Sequence, residues 1–232
     1  MLNNSFLQKY MEDGYNQIEG WVQPKIINML DFFDWLPINK SGDILEIGIH
    51  HGRFFIALNQ LRDNSSKAYA IDVFDDQHLN IDNSGGGSVQ IFNNNLDMFD
   101  HRNHGANVQI IKGDSTDAGL LNHIDTGSIS YMSIDGGHTV EHTINDLKLA
   151  ERLLHNEGIV ILDDINNHWW MSVVEGLCKY MMTHSTLIPI AVGDNKMFLS
   201  KLSYHSYYIQ RLQESPFHTK TSKFFSRDIV SI

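Results

Sequence analysis

Apolar residues recur at helical spacing on both sides of Gly20 within residues 5–35, which predicts two helices with a break between them. In "WVQPKIINMLDFF", Pro24 falls where a first helical turn tolerates it. The period then shortens. "SGDILEIGI" (41–49) is the apolar run of a buried strand, and "FFIALNQLR" (54–62) returns to helical spacing. "KAYAIDVF" (67–74) predicts a second strand, "VQIFNNNLDMF" (89–99) a helix, and "NVQIIKGDS" (107–115) a third strand. "GSISYMSID" (127–135) is a fourth strand, followed by the amphipathic helix "TVEHTINDLKLAERLL" (139–154). A fifth strand, "GIVILDD" (158–164), precedes the helix "WMSVVEGLCKYMM" (170–182). "TLIPIAV" (186–192) and "KMFLSKL" (196–202) read as an antiparallel hairpin turned at "GDN". Such alternation predicts an α/β fold, a doubly wound and mostly parallel sheet with N-terminal helices and a C-terminal hairpin.

Three segments fall outside the alternation. Residues 1–40 form an N-terminal helical cap on the core expected at 41–202. Residues 203–232 hold four basic and two acidic residues with several aromatics, a docked arm or a tail. "DDQHLNIDNSGGGS" (75–88) is polar, Gly-rich and aperiodic, the pattern of a mobile loop that could act as a lid.

Charge and composition narrow the partners. The net charge is −11, with 17 Lys and Arg against 28 Asp and Glu, so phosphate backbones find few cations and nucleic acid is not an expected partner. No run of about 18 apolar residues is present, and no membrane association is expected. The start "MLNNSFLQKYMEDGYN" lacks the basic and apolar regions of a signal peptide. Cys178 is the single cysteine, which excludes an intrachain disulfide and fits a cytoplasmic protein. The 13 histidines form no HxH or HExxH pattern and read mostly as surface residues.

In an open α/β sheet, ligands bind beyond the carboxyl ends of the strands. The first strand ends in "LEIGIHHGRF", an E-x-G-x-x-x-G pattern at Glu46, Gly48 and Gly52 with Ile49 inside the turn. Its glycines permit a tight turn and close approach of a ligand. The spacing departs from the G-x-G-x-x-G of dinucleotide sites. Asp72 ends the second strand, where a carboxylate accepts from both ribose hydroxyls. Read locally, the same residues are a strand-to-helix turn and a strand-end acid.

On these residues the chain resembles the class I S-adenosylmethionine-dependent methyltransferases over roughly 41–202. The resemblance implies a Rossmann-like core. It implies that Glu46, Gly48, Ile49 and Gly52 pass the methionine part of the cofactor and that Asp72 binds its ribose. It places Asp114 and Ser115, in "KGDS", near the adenine, and Asp135 at the edge of the cofactor site.

The fourth strand ends at Asp135 in "IDGGH", and the fifth at Asp163 and Asp164 in "LDD". Neighbouring strands would bring three carboxylates together. Crowded acids repel, so one stays protonated or a cation joins them; an oxygen-only set suits Mg²⁺. "IDGGH" and "LDD" resemble the metal-dependent small-molecule O-methyltransferases, in which acids at the positions of Asp135, Asp163 and Asp164 bind Mg²⁺. That likeness implies a small-molecule hydroxyl acceptor, a sugar, phenol or other metabolite, and self-association as one option. The catechol-type enzymes place a lysine base three residues after the first acid, where this chain has His138, an imidazole suited to proton transfer near neutrality. The sugar enzymes use a second acid two residues on, and here that position is Gly137. Locally, Asp135-Gly136-Gly137 is also a turn motif, and Asp163-Asp164 a helix-capping pair. Trp169 and Trp170 follow, as an acceptor wall or as packing of the next helix.

Other functions leave residues without work. An NAD-linked oxidoreductase predicts G-x-G-x-x-G and Tyr-x-x-x-Lys, and neither occurs. A metal-dependent hydrolase leaves the glycine loop and Asp72 unused. A non-catalytic nucleoside-cofactor-binding protein predicts binding with no transfer.

Overall fold

The computed structural model describes residues 2–37, 42–102, 105–117, 119–183 and 185–232. Among these residues the fold is the expected α/β, Rossmann-like class, with nine strands and seven α-helices. The chain divides into two compact units, Met1–Asn122 and His123–Ile232.

The first unit opens with α1 (Ser5–Asp13) and α2 (Pro24–Trp35). Asn4 caps α1, its side chain accepting from the Phe6 and Leu7 amides at 3.1 Å. The buried Asp31 of α2 accepts from the backbone amides of Asn3 and Asn4, so a carboxylate inside one helix anchors the start of the other. Strands β1 (Asp43–Ile47), β2 (Ala68–Asp72) and β3 (Val108–Lys112) pair in parallel in the order β3-β2-β1. Helices α3 (Arg53–Asn59) and α4 (Val89–Phe99) make the crossovers. Nearly every residue of β1 and β2 is buried, as strands covered on both faces require.

The second unit contains β4 (Ile129–Ile134), α5 (Val140–Leu153), β5 (Leu154–Leu162) and α6 (Met171–Met181). Strand β4 is buried at all six positions and pairs in parallel with β5. After α6 come β6 (Leu187–Gly193) and β7 (Lys196–Lys201), antiparallel to each other as expected. Strand β7 also lies antiparallel beside β5, with Leu162 opposite Met197.

One boundary expected from the sequence needs correction, and one open segment is now defined. Strand β5 begins at Leu154, not 158, because the chain turns extended directly after α5 and Leu154 pairs with Ile129 across a register shift. The segment after 203 is regular structure: α7 (His205–Gln213), β8 (Lys220–Phe224) and β9 (Arg227–Ser231). Strand β9 pairs in parallel with β6 and antiparallel with β8, completing the order β4-β5-β7-β6-β9-β8. The short, Lys-rich β8 does not alternate cleanly, so its period was not visible; its pairing with β9 defines it.

The C-terminal strands are therefore expected to be part of the cooperative fold. Ile229→Ala, at a residue 4% exposed, should cost about 2–5 kcal/mol by urea unfolding. Lys220→Ala, on the exposed side of β8, should stay within about 0.5 kcal/mol. Equal, negligible effects of both would mean that these strands do not fold with the rest.

Candidate functional site

In the first unit, the predicted cofactor residues meet at the carboxyl ends of β1 and β2. The loop after β1 needs glycine at Gly52, which has φ 89° and where a Cβ would stand 2.6 Å from the Phe92 ring. Gly48 donates to the Ile71 carbonyl at 2.9 Å and Gly52 to the Ile49 carbonyl at 2.8 Å, which closes the turn. The Asp72 carboxylate holds this loop from β2: Oδ2 accepts from the amides of Ile49 at 2.6 Å and His50 at 2.8 Å. Oδ1 accepts from the Phe74 amide at 2.6 Å. A carboxylate offers about four acceptor positions, so Asp72 retains capacity for a hydroxyl beside its loop contacts. The residues thus fit a nucleoside, with a turned loop that a ligand can approach and a carboxylate at its edge.

Of the remaining predicted cofactor residues, Glu46, Asp114 and Ser115 belong to the same unit, and Asp135 to the second. Glu46 is buried within β1. The Gly113 amide donates to the Asp72 carbonyl at 3.0 Å, which brings the end of β3, and with it Asp114 and Ser115, to the same strand ends. Asp114 Oδ1 accepts from the Thr116 amide and hydroxyl, both at 2.8 Å, so part of its role is the local turn. The Gly-rich segment lies against this edge: a Cβ on Gly87 would be 3.3 Å from Asp72 Oδ1 and 3.4 Å from the His50 Cα. The segment is internally bonded, with Asn80 Nδ2 donating to the Ser84 carbonyl at 2.8 Å and to Gln77 Oε1 at 2.8 Å.

In the second unit, Asp135, Asp163 and Asp164 stand at the ends of the adjacent β4 and β5, with His138 among them. His138 Nε2 lies 2.7 Å from Asp164 Oδ2 and 3.8 Å from Asp135 Oδ1. Asp135, His138 and Asp164 each offer a ligand atom within 4.8 Å of the others. The His138 ring stacks on Trp170, 4.5 Å between centroids and 15° between planes. Trp169 is exposed. Asp164 has a left-handed backbone, φ 61°, and its Oδ1 accepts from Asn195 at 2.7 Å and Asn167 at 2.8 Å. Burial works to raise its carboxyl, but the hydrogen bonds from His138, Asn167 and Asn195 prevail and hold it below the usual carboxylate range.

Asp163 behaves differently. It is buried, and its Oδ2 forms an ion pair with the equally buried Lys196. Its Oδ1 accepts from the Asp164 amide at 2.8 Å. Burial above all, and then Asp135, push its carboxyl up, while Lys196 pulls it back. Asp163 therefore has a cation from the protein itself beside it, where the sequence reading had weighed a proton or a bound metal ion. Asn195 belongs to the turn between β6 and β7, and Lys196 begins β7; sequence reading recognised the hairpin without its neighbour. Gly137 has a steric reason: a Cβ there would lie 2.7 Å from the His142 ring, which Thr139 holds at 2.8 Å. A second acid at that position has no room. The histidines also differ from the surface reading, since His51, His142 and His205 are buried.

A family model described as a methyltransferase domain matches residues 45–165, more than half of the chain. The chain belongs to this family. Its fold is that of the class I S-adenosylmethionine-dependent methyltransferases, as the glycine loop and Asp72 implied. Among solved structures, the O-methyltransferase NovP is similar at a TM-score of 0.55 and 15% identity, over 85% of this chain and 77% of NovP. CalS11, a TDP-rhamnose 3'-O-methyltransferase of calicheamicin biosynthesis, gives 0.55 and 17%, over 83% and 86%. A Bacillus cereus O-methyltransferase in complex with SAH gives 0.54 and 15%, over 86% and 92%. At these identities the likeness is one of fold. An uncharacterized protein, R132 of Acanthamoeba polyphaga mimivirus, is 35% identical over 69 residues, which span 29% of this methyltransferase and 31% of that relative.

The buried pair generates a prediction. Lys196→Met leaves Asp163 without its cation and should cost about 3–5 kcal/mol, and Asp163→Asn in the same chain should recover much of the loss. A carboxyl raised in the folded state contributes stability below its ordinary range and loses it as pH rises towards the raised value. Stability of Lys196→Met should therefore fall with rising pH more steeply than that of the parent in thermal unfolding, and Asp163→Asn should flatten the profile.

Proposed function

We propose that this methyltransferase transfers the methyl group of S-adenosylmethionine to a hydroxyl oxygen of a small molecule, assisted by a divalent cation. The convergence of Asp135, His138 and Asp164 within 4.8 Å carries the reading. Two carboxylates and an imidazole suit a cation, and Asp163, paired with Lys196, is left as a support rather than a ligand. Asp135 and Asp164 would hold Mg²⁺, which keeps several waters, or Mn²⁺. When bound, the cation supplies Lewis acidity that lowers the pKa of the acceptor hydroxyl.

The chain's own residues do the rest. Asn167 and Asn195 fix Asp164, and Asp164 in turn fixes the His138 ring, whose other constraint is the face of Trp170. With Nε2–H donated to Asp164 Oδ2 at 2.7 Å, the other ring nitrogen of His138, Nδ1, takes the hydroxyl proton as the oxygen attacks the methyl in line, and Asp164 balances the charge the ring gains. Glu46, Gly48, Ile49, Gly52, Asp72, Asp114 and Ser115 would line the cofactor, with Asp72 taking the ribose. The exposed ring of Trp169 offers a stacking face for the acceptor. The acceptor class is supported by the small-molecule enzymes among the structural neighbours and by the net charge of −11, which disfavours nucleic acid.

A second reading follows from the His138–Asp164 contact alone. An imidazole held by a carboxylate is a general base without any cation.

Calorimetry with S-adenosylhomocysteine tests the cofactor: Asp72→Ala should weaken binding about 10–100-fold, the worth of charge-assisted hydrogen bonds, and absence of binding to the parent protein would sink the reading. Methyl transfer to a panel of sugars and phenols, with Mg²⁺ and with EDTA, separates the two mechanisms. Loss in EDTA supports the cation, while persistence supports the dyad. His138→Ala should lower kcat about 10²–10⁴-fold in either case. Tight cofactor binding with no transfer to any hydroxyl would favour a non-catalytic binding protein.

A further inference from the structure

Among the described residues a second set of metal-ligating side chains converges, in the first unit and apart from the carboxylates. Glu19, His50 and His51 each offer a ligand atom, all within 4.8 Å of one another. Adjacent side chains of an extended chain point apart; here φ of 52° at His50 turns the chain, and the two rings lie 3.9 Å apart by centroid. Glu19 comes from the segment between α1 and α2, and its Oε2 stands 3.4 Å from His51 Nδ1. That distance is long for a hydrogen bond. It matches the edge of a coordination tetrahedron with bonds of about 2.1 Å, which is about 3.4 Å.

A second observation is independent of this spacing. His50 Nδ1 is buried and has no hydrogen-bond partner, a state that buried polar atoms rarely keep. A backbone hydrogen bond with Gly86 orients the His51 ring.

We propose that Glu19, His50 and His51 form a binding site for a zinc-class divalent cation. Two nitrogens and one carboxylate oxygen are a donor set that Zn²⁺ favours and Mg²⁺ does not. Glu19 is 67% exposed, which leaves a side open for water as a fourth ligand. Two of the ligands belong to the loop whose Ile49 and His50 amides grip Asp72, so the ion ties that loop to the segment after α1. The site does not depend on the identity of the acceptor or on a metal at Asp135 and Asp164.

The probe is Co²⁺, a spectroscopic substitute for Zn²⁺, titrated into Asp135→Asn/Asp164→Asn protein so that the second unit's cluster is removed. One equivalent should bind, give visible absorption and be displaced by Zn²⁺. Trp21, with its ring 5.2 Å from that of His50, should be quenched, and Trp21→Phe should remove that change. Adding Glu19→Gln, at an exposed position, or His51→Asn should weaken binding at least about tenfold. In the parent background, which does not rely on the double variant folding, Glu19→Gln should lower the number of Zn²⁺ ions bound by one. Absence of saturable Co²⁺ binding in the folded double variant, or binding that Glu19→Gln and His51→Asn leave unchanged, overturns the site.

Discussion

Carboxylates at the ends of two neighbouring parallel strands cannot be packed together without positive charge or a proton, and the second unit is organised around that constraint. Strands β4 and β5 deliver Asp135, Asp163 and Asp164 to one edge. Lys196 neutralises the most buried of them. That pair removes Asp163 from competition and leaves Asp135 and Asp164 facing His138. The arrangement sorts three chemically identical groups by surroundings alone: Asp163 is pushed up by burial, while Asp164 is held down by hydrogen bonds. Breaking a buried pair costs more than the pair contributes, because the survivor is stranded, so Lys196 supports the site's geometry as well as its charge.

The first unit solves a different problem with the same chemical group. The turn after β1 exposes backbone amides that a ligand site needs oriented, and the Asp72 carboxylate holds two of them. One residue therefore shapes the loop and still has an acceptor position for a ribose hydroxyl. Glycine at position 52 is required by the left-handed backbone and by the Phe92 ring at its back. The tandem histidines of that loop are drawn to one side by the positive φ of the first, which is why a pair that looked like ordinary surface residues meets Glu19.

The family explains the shared core and leaves the particular residues to local physics. Gly137 carries no side chain, and the packing of His142 against it shows why none fits. His138 lies between Asp164 and the face of Trp170. These are properties of this chain, fixed by contacts within α5, the loop before it and the segment after β5.

Strand and helix periods were legible because apolar spacing follows directly from geometry, and they placed nearly every element up to 202 within a few residues. The glycine spacing and the strand-end acids at Asp72, Asp135, Asp163 and Asp164 were legible for the same reason: a strand that ends in acid announces where its carboxyl end faces water. Residues 205–231 were not, since the alternation in β8 is weak and a strand that completes a sheet is defined by its partner. Sequence by itself determined the fold class, the loop and the set of carboxylates. Only the tertiary structure decided which carboxylate is neutralised, because the antiparallel pairing of β5 with β7 brings Asn195 and Lys196 opposite Asp164 and Asp163, more than thirty residues away along the chain.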